Sequence, residues 1–118
     1  MPITKNSRTL LISQTLAPGA SINTAELNLS TAPGARVFVR ITNGASAPTT
    51  PPSVIFYTGE ATGVKREIHR AQGDVAASSV KDIPCRFSLP DMFVNATITA
   101  GATNGCTVEA YAQEATTI

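Results

Sequence analysis

The sequence predicts an all-β domain, an antiparallel β-sandwich of about eight strands, and three observations carry that reading. Gly, Pro and Asn punctuate the chain roughly every 8–12 residues, the spacing of short strands joined by turns. Between these breaks apolar and polar residues alternate with period two, as they do in strands with one buried face. No heptad, internal repeat or long amphipathic helix interrupts the pattern, so two packed sheets are the economical architecture. Alternation assigns a face to each residue but no neighbour to each strand. Jelly-roll and immunoglobulin-like connectivities therefore both remain open.

Taken in order, Met1–Arg8 is polar and reads as a flexible N-terminal arm ahead of a single domain spanning 9–118. A first strand covers Thr9–Thr15 and stops at Ala17-Pro18-Gly19. A second runs from Ser21 to Leu29 and stops before Ala32-Pro33-Gly34. The third, Ala35–Thr42, alternates most clearly: Val37, Val39 and Ile41 on one face, Arg36, Phe38, Arg40 and Thr42 on the other. It ends at Asn43-Gly44, a turn pair because both residues tolerate positive φ. Ala45–Pro52 holds three prolines and no hydrophobe larger than Ala, so it is an extended loop.

Val54–Thr58 is apolar on both faces, which predicts a central strand or one covered on both sides. Val64–Ala71 fits a short helix or a strand; its β surroundings favour a polar edge strand. Gly73–Lys81 is small and polar, a loop. Ile83, Cys85, Phe87 and Leu89 then share a face opposite Pro84, Arg86 and Ser88. After the Pro90-Asp91 turn, Val94, Ala96, Ile98 and Ala100 form an inward face. A hairpin through Gly101–Gly105 leads to the matching set Cys106, Val108, Ala110 and Ala112.

Composition narrows the function. Apolar residues make up 42%, but Ala is the commonest of them, so the core is adequate and thin. Charged residues are 14%, against roughly 25% in an average soluble domain. A surface of Thr, Ser, Asn and Ala repels neighbours weakly and suits close subunit packing. With nine basic and eight acidic residues there is no field for nucleic acid. Leu10-Leu11-Ile12, the first apolar run, is too short for a membrane span or signal core. The expectation is a chain that folds in a cytoplasm.

No equipment for catalysis assembles in the sequence. His69 stands alone between Ile68 and Arg70 and reads as a solvated edge residue. Cys85 and Cys106 lack the close spacing of a zinc site and both fall on inward faces, where a thiol behaves as a small hydrophobe. There is no phosphate-binding glycine loop and no close carboxylate pair. The reading is no catalytic residue, no cofactor and no metal.

The features that point to binding lie on the surface. Phe38 sits out of phase with its strand's core set, between Arg36 and Arg40; Phe93 and Tyr111 likewise oppose their inward neighbours. Arginine with aromatics is an interface composition. Either these five residues meet a partner, or the Ala45–Pro52 loop folds over the face of Phe38.

The stretches Ala35–Gly44 and Phe93–Ala100, the latter with its hairpin partner through Glu114, make the chain resemble the small decoration or cement proteins of tailed-bacteriophage capsids. The likeness is one of style across nearly the full length, and no shared motif allows a functional residue to be transferred. It implies a virion protein made in the host cytoplasm, associating with itself as a dimer or trimer. It further implies that the protein bridges major capsid protein subunits on the capsid exterior. The alternatives are a phage tail, neck or baseplate sandwich, or a carbohydrate-binding module. The last would ordinarily need exposed aromatic platforms, and the chain has no Trp and two Tyr.

Overall fold

A computed structural model describes residues 4–5, 9–29, 34–61, 64–87 and 93–117. Its strands are β1 (Thr4–Lys5), β2 (Thr9–Leu16), β3 (Ser21–Asn23), β4 (Leu27–Asn28), β5 (Gly34–Asn43), β6 (Ser53–Ala61), β7 (Val64–Gln72), β8 (Val80–Phe87), β9 (Phe93–Thr99) and β10 (Cys106–Thr117). All their pairings are antiparallel. β1 and β2 occupy successive stretches of one edge beside β10, and β3 and β4 do the same beside β9. The first sheet therefore reads β1/β2–β10–β5–β8 and the second β3/β4–β9–β6–β7. This order, with successive segments switching between the sheets, is that of two Greek keys wound together as a jelly roll. An immunoglobulin-like key would order its strands differently.

The core lies between the sheets and follows the period-two pattern. Val37, Val39 and Ile41 of β5 and Val108, Ala110 and Ala112 of β10 meet Val54 and Phe56 of β6 and Val94, Ala96 and Ile98 of β9, all buried. Ala96 of β9 stands in register beside Phe56 of β6, whose ring reaches Phe87 of β8. Those two rings meet edge to face at 6.5 Å. β6 is central, between β9 and β7, as its two apolar faces predict.

Val64–Gln72 is a strand, not a helix, and it forms a sheet edge. The expected second strand is instead two short pieces. Thr24 intervenes: its amide donates to the Ala96 carbonyl at 2.8 Å and its buried hydroxyl accepts from the Ala96 amide at 3.0 Å. The side chain thus takes over a ladder bond, and the backbone is released from the strand. Within Met1–Arg8, Thr4 and Lys5 pair with Thr117 and Ala115. The Pro90-Asp91 turn and Leu89 lie outside the described residues.

The Asn43 end of β5 and the loop beyond it are tied down. The Asn43 side-chain amide donates to the carbonyls of Asp74 and Ala76 at 2.7 and 2.9 Å, anchoring the segment before β8. The proline loop packs against the β9–β10 connection through Thr49 N to Ala102 O (3.0 Å) and Asn104 Nδ2 to Ala47 O (2.9 Å). It closes an end of the sandwich and does not reach across to Phe38.

Candidate interface on the outer face of the first sheet

Register turns the outer face of the first sheet into four cross-strand rows. Ser13, Glu109, Arg40 and Asp82 form one; Thr15, Thr107, Thr42 and Val80 form the next. On the other side of the centre, Gln113, Arg36 and Arg86 lie side by side. Between them runs a row with no charge: Leu10, Tyr111, Phe38 and Pro84, one residue from each strand position.

A bulge makes that row complete. Ala110 pairs with Ile12 but Tyr111 pairs with Leu10, so Leu11 is the extra residue. Strict alternation would put Leu10 and Ile12 on one face. The bulge separates them, turning Ile12 to the core and Leu10 outward, where it is 52% exposed. Val80, also on this face, is 54% exposed. The two stand at opposite edges of the sheet and in different rows, so they are separate exposed side chains and not one patch.

Aromatic packing organises the centre. The rings of Phe38 and Tyr111 stack at 5.5 Å with 28° between planes, and the Arg36 guanidinium lies 5.9 Å from the Phe38 centroid. The Tyr111 hydroxyl donates to Glu109 Oε2. Arg40 grips Asp82 through two bonds of 2.8 and 3.2 Å. That hydrogen bond, and then the charge behind it, holds the Asp82 carboxyl below its ordinary range and raises the Arg40 guanidinium above its own. Arg36 and Arg86 by contrast sit directly opposite one another, and like charges so placed repel.

The sequence singled out Arg36, Phe38, Arg40, Phe93 and Tyr111. Four come together here, with Phe38 and Tyr111 in direct register. Phe93 does not: it lies on the outer face of the second sheet, opposite Asn28 and Gly59. Leu10, Asp82, Pro84, Arg86 and Glu109 belong to the same face but were not singled out. Their outward phase was readable for Pro84 and Arg86, but their neighbours needed the register.

The other reactive groups among the described residues do not converge on a second site. His69 stacks on Phe56 at 5.8 Å, covering the core where the second sheet ends. Glu67 is held by Arg70 at 2.7 Å. Cys106 is buried, as its phase predicts; Cys85, also in inward phase, is only half-buried because β8 is an edge strand. Among the described residues no three His, Cys, Asp or Glu side chains converge as metal ligands. A shallow depression of about 350 Å³ lies beside Leu16, Ser46, Asn104 and Cys106, and no charged side chain lines it.

The sheet edges resist extension. β7 carries Arg66, Glu67, His69 and Arg70 and a bulge at Ile68. β8 has Pro84 at mid-strand, β2 is bulged, and β3 and β4 are two- to three-residue pieces. Charges, proline, bulges and brevity are the devices that blunt an edge.

The chain matches no protein-family profile and no curated protein sequence. Among solved structures it is similar to a protein described under "Bacillus endospore appendages form a novel family of disulfide-linked pili", at 18% identity and a TM-score of 0.56, over 100% of this chain and 93% of that one. A family 16 carbohydrate-binding module aligns at 14% identity and a TM-score of 0.46, over 88% of this chain and 74% of the other. At these identities the first likeness establishes a shared β-sandwich fold.

Proposed function

We propose that this chain is a non-enzymatic structural subunit that decorates a viral capsid, binding the outer surface of the major capsid protein lattice and associating with copies of itself. The observation that carries the reading is the outer face of the first sheet, where an uncharged row crosses every strand position and exposes Leu10. Contact through such a face suits a chain whose edges are blunted and whose loops are bonded to one another.

Low charge supports the same conclusion, since 14% charged residues leave little repulsion between packed neighbours. A capsid clamp needs no single strong site, because many modest contacts on a repeating lattice add through avidity. The Bacillus protein, on a similar sandwich, belongs to disulfide-linked pili, which is consistent with a structural role for this architecture. Linkage by that chemistry would have Cys85 near the surface here and Cys106 buried.

Quantitative mass spectrometry of purified tailed-phage particles encoding this chain tests the proposal. Copy number should scale with the positions of the icosahedral lattice. A handful of copies per particle would place the chain in a tail, neck or baseplate, and absence from particles would end the virion reading.

A further inference from the structure

The chain contains the same tripeptide twice, Thr42-Asn43-Gly44 and Thr103-Asn104-Gly105, and the fold puts the two in opposite surroundings. Asn43 ends β5, is 3% exposed, and has its side-chain nitrogen gripped by the Asp74 and Ala76 carbonyls. Asn104 lies in the β9–β10 connection, half-buried, and its side-chain nitrogen bonds only the Ala47 carbonyl among the described residues. It borders the shallow depression beside Leu16, Ser46 and Cys106, which gives water a way to it. Among the described residues no acceptor takes the Gly105 amide proton.

The fold itself imposes glycine at 105, because the Leu16 carbonyl oxygen occupies the place of a Cβ. A glycine after asparagine also lets its amide nitrogen approach the side-chain carbonyl carbon, since no Cβ hinders the ring that forms. We propose that Asn104 is a site of spontaneous deamidation, with Gly105 N as the nucleophile, and that the surroundings of Asn43 withhold the same reaction there. Gly105 N bonds to Asn104 Cγ, and the Cγ–Nδ2 bond breaks. Solvent carries the Gly105 proton to the departing ammonia, and a cyclic succinimide remains. Water then adds to one of its two carbonyls. Opening at Cγ gives Asp; opening at the main-chain carbonyl gives isoaspartate, whose backbone is one carbon longer. The sum is amide plus water to carboxylate plus ammonium, driven by intramolecular closure and needing no other reactant.

Both products unfasten one end of the sandwich. A carboxylate at position 104 has no proton to give the Ala47 carbonyl, so a tie between the proline loop and the β9–β10 connection is lost. Two acceptors then face each other where a hydrogen bond stood. Isoaspartate also lengthens the backbone beside the close approach of Gly105 to Leu16. The bond from Thr49 N to Ala102 O stays, so the loop is loosened and not freed. None of this depends on the capsid reading, and the purified chain alone tests it.

The full chain is incubated in warm, mildly alkaline buffer, native or unfolded in urea, and both sites are followed by peptide mapping with mass spectrometry. Isoaspartyl methyltransferase marks the isoaspartate. Each site's native rate is compared with its own rate in urea, which removes any difference of local sequence. Folding slows Asn43 at least about tenfold more than Asn104, because two bonds of a buried amide must first be undone. Asn104→Gln keeps an amide but ends the reaction at this position, since the larger ring closes slowly. Asn104→Asp, which is one of the products, has a lower midpoint in urea than the parent chain. Circular dichroism checks that both variants are folded. Native Asn104 that stays intact while the unfolded chain reacts overturns the site, and so does equal slowing of Asn43 and Asn104. An unchanged midpoint for Asn104→Asp overturns the loosening of the loop.

Discussion

Gly105 lies so close to Leu16 that a Cβ placed on it would stand 1.8 Å from the Leu16 carbonyl oxygen. Leu16 forms the first inner-face pair of β2 and β10 with Cys106, the residue after Gly105, so the approach sets where that edge begins. Backbone atoms cannot step aside as a flexible side chain can. Gly105→Ala should destabilise the fold by about 1–3 kcal/mol, seen as a lower midpoint in urea. An unchanged midpoint would mean that the β9–β10 connection shifts freely.

A neighbouring position stores strain of the opposite kind. Thr103 is β-branched and adopts φ of 76°, in the left-handed region. Such a conformation costs an ordinary residue roughly 1–2 kcal/mol, and Asn tolerates it better. Thr103→Asn is expected to raise the thermal midpoint, with a gain of about 0.5–1 kcal/mol after the loss of the 2.9 Å contact with the Thr49 hydroxyl. Calorimetry on the two proteins checks the sign.

The two thiols should react differently. Cys85 is half-buried on an edge strand, while burial hides Cys106 and pushes its thiol pKa upward. Since the thiolate is the reacting form, a maleimide should label Cys85 at least about tenfold faster than Cys106 in the native protein. The pair also cannot join within one chain. Cys85 faces Val37 and Cys106 faces Asn43, six residues along β5, which is about 20 Å at the rise of a strand. Equal labelling rates would show that the Cys106 end of the sandwich opens.

Asp82 gives the outer face a pH response. The hydrogen bond from Arg40, then the charge behind it, lowers the folded carboxyl pKa below the unfolded value. Its contribution is therefore complete at neutral pH and is lost as pH falls through the lowered pKa. Both side chains are about half exposed, so solvent screening keeps the effect small. Thermal midpoints of the parent chain and Asp82→Asn should differ at pH 7 and converge in strong acid. A difference that persists at the lowest pH would assign the effect to packing.

Most of the inside of this protein was legible in its sequence. The set Val37, Val39 and Ile41 and the set Val94, Ala96 and Ile98 declare their inward face because a side chain in a strand changes side at every residue. The breaks at Asn43-Gly44 and Gly101–Gly105 mark where β5 and β9 end, but not as expected: neither Asn43 nor Gly44 takes a positive φ, and Gly101–Gly105 is no hairpin, because it carries the chain from β9 in the second sheet to β10 in the first. The candidate site was half legible: Phe38 and Tyr111 are out of phase with their neighbours, but phase does not say that they touch. Phe93 obeys the same rule and lies on the opposite side of the molecule.

Three features were settled by the tertiary structure. The jelly-roll order came from which strands could bury each other's faces, a choice that alternation leaves open. The break at Thr24 came from a hydroxyl finding the Ala96 amide. The outward turn of Leu10 came from one extra residue, Leu11, against β10, and without it the uncharged row would stop at Tyr111. The physical reason is shared. Local pattern specifies the side on which a residue lies, while register between distant segments specifies what lies beside it, and register exists only once the sheets have formed.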